Sequence, residues 1–217
     1  LKLISIYSFE EYVLVIVENQ SQFAIVVYIK SIIMATSQEG STNNTQEEDN
    51  IKDLGGTKAV AKLKELADKA ESCFFCTNIK TGVPLSIRPM AIQQVDEEGN
   101  IWFMSMKDSH KNDEIASDPF THLLFQAGAH SGFVNIYGIS EISRDQAKID
   151  ELWSPFIKTW FQGGKDDPNI TLIKVVPSEG YYWDTKHGTA VAFLKMAASV
   201  ITGKTMDDSV EGNLDID

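Results

Sequence analysis

The chain has 217 residues, 43% of them apolar, which suits one compact domain with added segments rather than a fibre or a fully disordered chain. Its 19 lysines and arginines stand against 31 acids, and a formal net charge of −12 sets a phosphate-neutralising nucleic-acid footprint at a disadvantage, so nucleic acid is not an expected partner. Much of the negative charge falls in Glu39, Glu47, Glu48 and Asp49, and again in Asp207, Asp208, Glu211, Asp215 and Asp217, two stretches read as solvated segments on either side of the folded part.

Residues 1–33 run through the apolar blocks Tyr12–Val17 and Phe23–Ile33, interrupted by Glu10, Glu11 and Glu18. A membrane-spanning helix needs about 20 mostly apolar residues. The acid-free stretch Phe23–Ala35 is shorter and carries Lys30, and a secretory signal would want more basic residues at its start than Lys2. The segment is therefore read as an upstream extension of the reading frame, ending at Met34, with a membrane anchor or signal as the alternative. The polar run 34–49 is expected to be a disordered linker, 50–187 the folded domain, 188–203 a C-terminal helix and 204–217 an acidic disordered tail.

Inside the domain, Val60, Leu63, Leu66, Ala67 and Ala70 fall on one helical stripe within Gly55–Glu71. Strands are expected over Ser72–Ile79, Pro84–Val95 and Ile101–Met106, the last two pairing across the turn DEEGN. A short helix over Ser109–Ser117 stops at Asp118 and Pro119, and Thr121–Ala127 and Phe133–Ile142 form a further hairpin. Helical patterns return in RDQAKIDELW and PFIKTWF. Trp153 and Trp160, seven apart, are expected to pack one face of that segment against the barrel. Strands over Thr171–Val176 and Gly180–Asp184 complete the set, and many short antiparallel strands with few helices predict a mainly β (α+β) fold, a small barrel with flanking helices.

The chemistry-bearing motifs are few. Cys73 and Cys76 have the spacing of a metal or redox pair, but no second pair exists, and in a strand residues three apart point to opposite faces. They are read as ordinary strand cysteines, whose free thiols fit a reducing cytoplasm, and no metal is expected. No hydrolase elbow, phosphate loop, dinucleotide fingerprint or zinc spacing is present. What remains is Arg88 on a strand, with Ser109, His110 and Lys111 opening a helix. A helix start has free backbone N–H groups and a positive dipole end, so two nearby cations could complete a phosphate pocket, and the same residues could equally be a plain helix start with a solvated face.

The blocks SIRPM, DEEGN, IWFMS and SHKNDEIASDPFTHLLF occur in the order of an arginine strand, a turn, an aromatic strand and an S-[R/H]-K helix start before a D-P. With WSPFIKTWFQGG and a last strand ending YYWD, the chain from about Asn50 to Gly203 resembles the FMN-binding split-barrel proteins of the pyridoxamine-phosphate-oxidase-like superfamily, in particular their general-stress-protein branch. The resemblance implies that Arg88, Ser109, His110 and Lys111 hold the FMN phosphate. It implies that backbone groups of Pro89, Met90, Phe103, Met104 and Ser105 edge the isoalloxazine ring. Met90, Phe103 and Met104 would be core residues in any barrel, Trp102 faces away from Phe103 as packing, and Gln126 either meets the ring or lies on a polar strand face.

The departures narrow the activity. Where the oxidases place a lysine five residues after the strand arginine this chain has Gln93, where they place a flavin-reaching glutamine it has Phe133, and YYWDTKHG stands in place of their R-x-H motif. Efficient pyridoxamine 5'-phosphate oxidation is therefore not expected. The resemblance implies a homodimer with FMN at the subunit interface, acting as a cytoplasmic flavin-dependent oxidoreductase on an unknown small-molecule substrate, with no membrane partner. The alternatives are a non-catalytic flavin storage or sensor protein of the stress response and, third, a haem or deazaflavin binder on the same barrel. No general base is identified, and His130 and His187 are the only candidates raised.

Overall fold

A computed structural model of the chain describes residues 2–8, 12–19, 22–29, 50–80, 84–129, 131–188, 191–192, 194–195, 197–198 and 208–216. It divides into two compact units. In the first, strands β1 (Lys2–Ser8), β2 (Tyr12–Asn19) and β3 (Gln22–Ile29) form a three-stranded antiparallel meander. The expected linker over 34–49 lies outside the described residues. Among the described residues no helix is long and apolar enough to cross a membrane.

The second unit is built on a nine-stranded sheet. The short β4 (Leu54–Gly55) leads into helix α1 (Thr57–Ala70), whose Ala59, Leu63, Leu66 and Ala67 are buried at three- and four-residue spacing, so one stripe of the helix covers the sheet. Glu71 closes α1 in the left-handed conformation (φ 57°), its N–H bonding the Ala67 carbonyl, and the chain enters β5 (Ser72–Thr77). Strand β6 (Ser86–Ala91) pairs with β5, and the shorter β7 (Gln94–Val95) pairs with β8 (Ile101–Met106). The single strand expected over Pro84–Val95 is thus two. Between them Ile92 N–H donates to Glu71 and Gln93 N–H to Trp102, so the chain changes partners at that point.

Helix α2 (His110–Ser117) follows β8 directly, and β9 (Phe120–Gln126) and β10 (Phe133–Ser143) form the next hairpin. Helix α3 (Gln146–Leu152) is capped by the Asp145 carboxylate on the N–H groups of Ala147 and Lys148, and a 3-10 turn follows at Ile157–Thr159. The long β11 (Ile170–Thr185) pairs with β10 over Leu172–Trp183, with β8 over Ile170–Val175, and with β12 (Ser209–Asp215) over Gly180–Thr185. A bulge opposite Tyr137 and Gly138 bends β11 where it passes from one edge partner to the other. Gly138 is required there, because a Cβ would lie 2.4 Å from the Val176 carbonyl oxygen. The hydrogen-bonded path β4-β12-β11-β10-β9-β5-β6, with β8 and β7 branching from β11, does not close into a cylinder. The result is an open, split barrel with flanking helices.

Its interior is one apolar cluster that includes Leu63, Phe75, Ile101, Phe103, Leu123, Ile136 and Tyr182, with Phe75 and Phe103 edge to face at 5.2 Å. The other face of β8 carries a second cluster, Met104 with Ile149, Ile157, Phe161, Ile170 and Leu172.

Two expectations need correction. The acidic segment is not a solvated tail over its whole length: Ser209–Asp215 form β12, because Val210, Gly212 and Leu214 alternate inward while the acids point out. The two tryptophans do not share a packing face either. Trp153 borders the second cluster, but Trp160 is 72% exposed. The helix stops at Trp153, two residues before Pro155, so the seven-residue spacing never lies on one continuous helix.

Candidate functional site

The candidate residues separate into two groups. Arg88 projects from β6 on the side of its cross-strand partner Phe75, toward the interior, and reaches the end of β5 and the body of α2. Its Nη1 donates to Thr77 Oγ1 at 2.9 Å and its Nη2 to Glu114 Oε2 at 2.6 Å. Thr77 Oγ1 in turn donates to the same Glu114 oxygen at 2.5 Å. Burial raises the Glu114 pKa, but hydrogen bonds from Thr77, Arg88 and Ser86 outweigh it and hold the carboxyl below its ordinary value.

Lys111, one turn before Glu114 on α2, is half-buried, and its ammonium makes no hydrogen bond or ion pair among the described residues. Burial lowers its pKa first and the Arg88 charge lowers it further, against an opposing pull from Glu114. Glu114 thus pairs directly with Arg88, while Lys111 feels that carboxylate only through space and makes no direct ion pair among the described residues. Ser109 is the N-cap of α2 by backbone geometry but makes no side-chain cap, because its Oγ is shared with Ser105 Oγ at 2.9 Å. The first turn of α2 therefore lacks a side-chain cap on its amides. His110 is exposed at the same turn.

Asn112 anchors this helix start. Its amide donates to the Met106 carbonyl at 3.2 Å and to Thr171 Oγ1 at 2.9 Å, tying α2 to the end of β8 and the start of β11. Its buried Oδ1 has no partner.

The ring-edge candidates lie on both faces of the sheet. Phe103 is fully buried in the interior, Ser105 is buried beside Ser109, and the Met104 side chain points into the second cluster, so none of these three side chains is exposed. Met90 is half-buried against the main core, and Pro89 is exposed on the outer face, opposite Phe74. Gln126 is also exposed and turns its amide to the Gly128 carbonyl at 3.0 Å. It shares the outer face with Leu124, two residues earlier on β9, and is not brought to the Arg88 cluster within the chain.

The two cysteines are buried, free thiols, both pushed up in pKa by burial. Among the described residues no group of three or more His, Cys, Asp or Glu could hold a metal ion. His130 lies outside the described residues. His187 Nδ1 lies 2.7 Å from Asp208, remote in sequence from α2 and engaged with the residue just before β12. Sequence reasoning missed Glu114 and Asn112. The i,i+3 spacing of Lys111 and Glu114 was the available signal for the first.

The open split barrel carries an arginine paired with Glu114 on its edge strand and a half-buried lysine at the next helix start. The chain belongs to the pyridoxamine 5'-phosphate oxidase like family, whose model matches residues 58–207, more than half of its length. It is similar to General stress protein 26 of Bacillus subtilis (strain 168), 30% identical over 82 residues. That match takes in 36% of this chain and 58% of the relative, so less than two thirds of the relative is spanned. A putative general stress protein 26 from Jannaschia sp. CCS1 has a similar solved structure, at 25% identity and TM-score 0.58 over 71% of this chain and 96% of that one. A protein related to general stress protein 26 from Clostridium acetobutylicum shares the fold at 20% identity and TM-score 0.51, over 59% and 89% of the two chains.

Proposed function

We propose that the protein binds FMN at the start of α2 and works as a homodimeric flavin-dependent oxidoreductase. The observation that carries this reading is Lys111, a half-buried cation with no direct ion-pair partner among the described residues, set beside Arg88 and a helix start without a side-chain cap. An isolated charge removed from water is costly, and a phosphate supplies the missing partner while the first-turn amides and Ser109 bond its oxygens. FMN, when bound, supplies hydride chemistry at its ring. Lys111 and the α2 start bind the phosphate end, Arg88 turns its remaining N–H donors to it, and the backbone at Phe103–Ser105 orients the ring edge. Buried side chains of β8 exclude water behind that edge.

The outer face of the sheet supports the homodimer. Phe74, Leu124, Phe133 and Trp183 are exposed on adjacent strands β5, β9, β10 and β11, Phe74 at 56% and Leu124 at 42%, and a second copy is the occupant proposed for this face. Such a dimer would bring Gln126 toward the partner's flavin.

A carrier without turnover is the second reading, favoured by Gln93, which has no charge to offer a substrate and turns its amide to the Ala91 carbonyl at 3.1 Å. The visible spectrum of the purified protein, followed by anaerobic NADH or NADPH, separates the two. A yellow protein that bleaches supports the oxidoreductase, a yellow protein that stays oxidised supports the carrier, and a protein that takes up no FMN contradicts both.

A further inference from the structure

We infer that Glu114 sets which charge state of phosphate the pocket accepts, matching it to a monoanion and disfavouring the dianion. This rests on the proposed phosphate site and concerns its selectivity. Three charged side chains meet there: Arg88 from β6, and Lys111 and Glu114 from α2. The other titratable groups nearby are Cys76 on β5, whose thiol burial raises, and, around the α2 start, the exposed His110, Asp108 and Asp113, whose charges lie in solvent. Thr77 and Ser86 complete the shell of Glu114 and do not titrate. Glu114 is held by Arg88, Thr77 and Ser86 together, so it is fixed in the pocket rather than swinging in solvent.

With Arg88 and Lys111 positive and Glu114 negative, the pocket carries one net positive charge. A phosphate monoester carries about −1.5 to −2 at pH 7, with its second ionisation near pH 6. The monoanion balances the pocket. The dianion places a surplus negative charge beside Glu114, within the short range where two unit charges interact strongly even at an effective dielectric constant of about 20. The bound phosphate therefore ionises at higher pH than the free one, and FMN affinity falls as pH rises above the free value. Replacing Glu114 by glutamine keeps an acceptor for Arg88 but leaves two net positive charges. The bound phosphate then ionises at lower pH than the free one, and affinity rises with pH toward that value.

The test is FMN and riboflavin titrated into the full chain and into Glu114→Gln at pH 5.5 and 8, read by quenching of flavin fluorescence. The expected result is a fall of about tenfold in FMN affinity for the wild type between the two pH values and a rise for Glu114→Gln, with riboflavin unchanged in both. At pH 8 the variant should bind FMN about tenfold more tightly than the wild type or better. The inference is overturned if Glu114→Gln weakens FMN at both pH values, which would make Glu114 only an orienting partner of Arg88, or if riboflavin follows the same trend, which would make the effect one of folding. A wild type that binds riboflavin and FMN equally at both pH values contradicts the phosphate site itself, and the inference falls with it.

Discussion

Arg88 and Lys111 were legible as a pair because a strand arginine and a lysine at a helix start are local features, each readable within a few residues. Their different states were not. Whether a cation is paired depends on which side chain the fold delivers to it, and Glu114 reaches Arg88 only because α2 crosses the ends of β5 and β6. The same limit applies to Gly138, an unremarkable residue in the strand pattern. There the bulge of β11 leaves no room for a side chain, so Gly138→Ala is expected to destabilise the protein by about 2 kcal/mol or more. Urea denaturation checks this, and a midpoint unchanged from wild type would mean that the bulge relaxes freely.

Among the elements, α1 and α2 follow the sequence closely, since each is bounded by local signals and, in α1, by a clean buried stripe. Strand β11 was read as two pieces because Pro177 and Gly180 look like a break. The strand continues because Pro177 falls between the stretches paired with β8 and with β12, where no edge ladder needs its missing N–H. Strand β12 was missed for a different reason: its charge suggested a solvated tail, although Val210, Gly212 and Leu214 alternate as a strand should. What fixes its start is Asp208, whose buried carboxylate accepts from the His187 backbone N–H at 3.0 Å and from Lys195 Nζ at 2.8 Å, with His187 Nδ1 2.7 Å away. Burial works against the charge, but these partners bring its pKa down to about 2.

Because that value is below the ordinary one of about 3.9, the stabilisation from Asp208 is fully present above pH ~4 and is lost as pH falls toward 2. Asp208→Ala should therefore cost about 2 kcal/mol at pH 6 and much less near pH 2. Denaturation curves at the two pH values test this, and an equal loss at both would show that the residue acts by packing alone.

At the scale of the whole molecule, the barrel is split because β11 serves β8 and β12 in turn, and its outer face exposes Phe74, Leu124, Phe133 and Trp183. Charge and period predicted a barrel with helices, but no local pattern states which face a second copy covers. If that face joins two copies, Leu124→Glu should convert dimers to monomers in sedimentation equilibrium, whereas a dimer that persists would place the interface elsewhere. Every described candidate site residue belongs to the second unit, so a chain beginning at Met34 is expected to bind FMN as the full chain does. Loss of flavin from that shorter chain would make residues 1–33 part of the working protein.

The central claim is that Lys111, with Arg88, binds a flavin through its phosphate. Comparing FMN with riboflavin in the wild type, Lys111→Met and Arg88→Ala tests it most directly, because the two ligands differ only in that group. Each substitution is expected to weaken FMN roughly ten- to a hundredfold, the effect of one charge-assisted partner worth about 1.5–3 kcal/mol, and to leave riboflavin nearly unchanged. Equal losses for both ligands, or an FMN affinity that neither substitution alters, would contradict it.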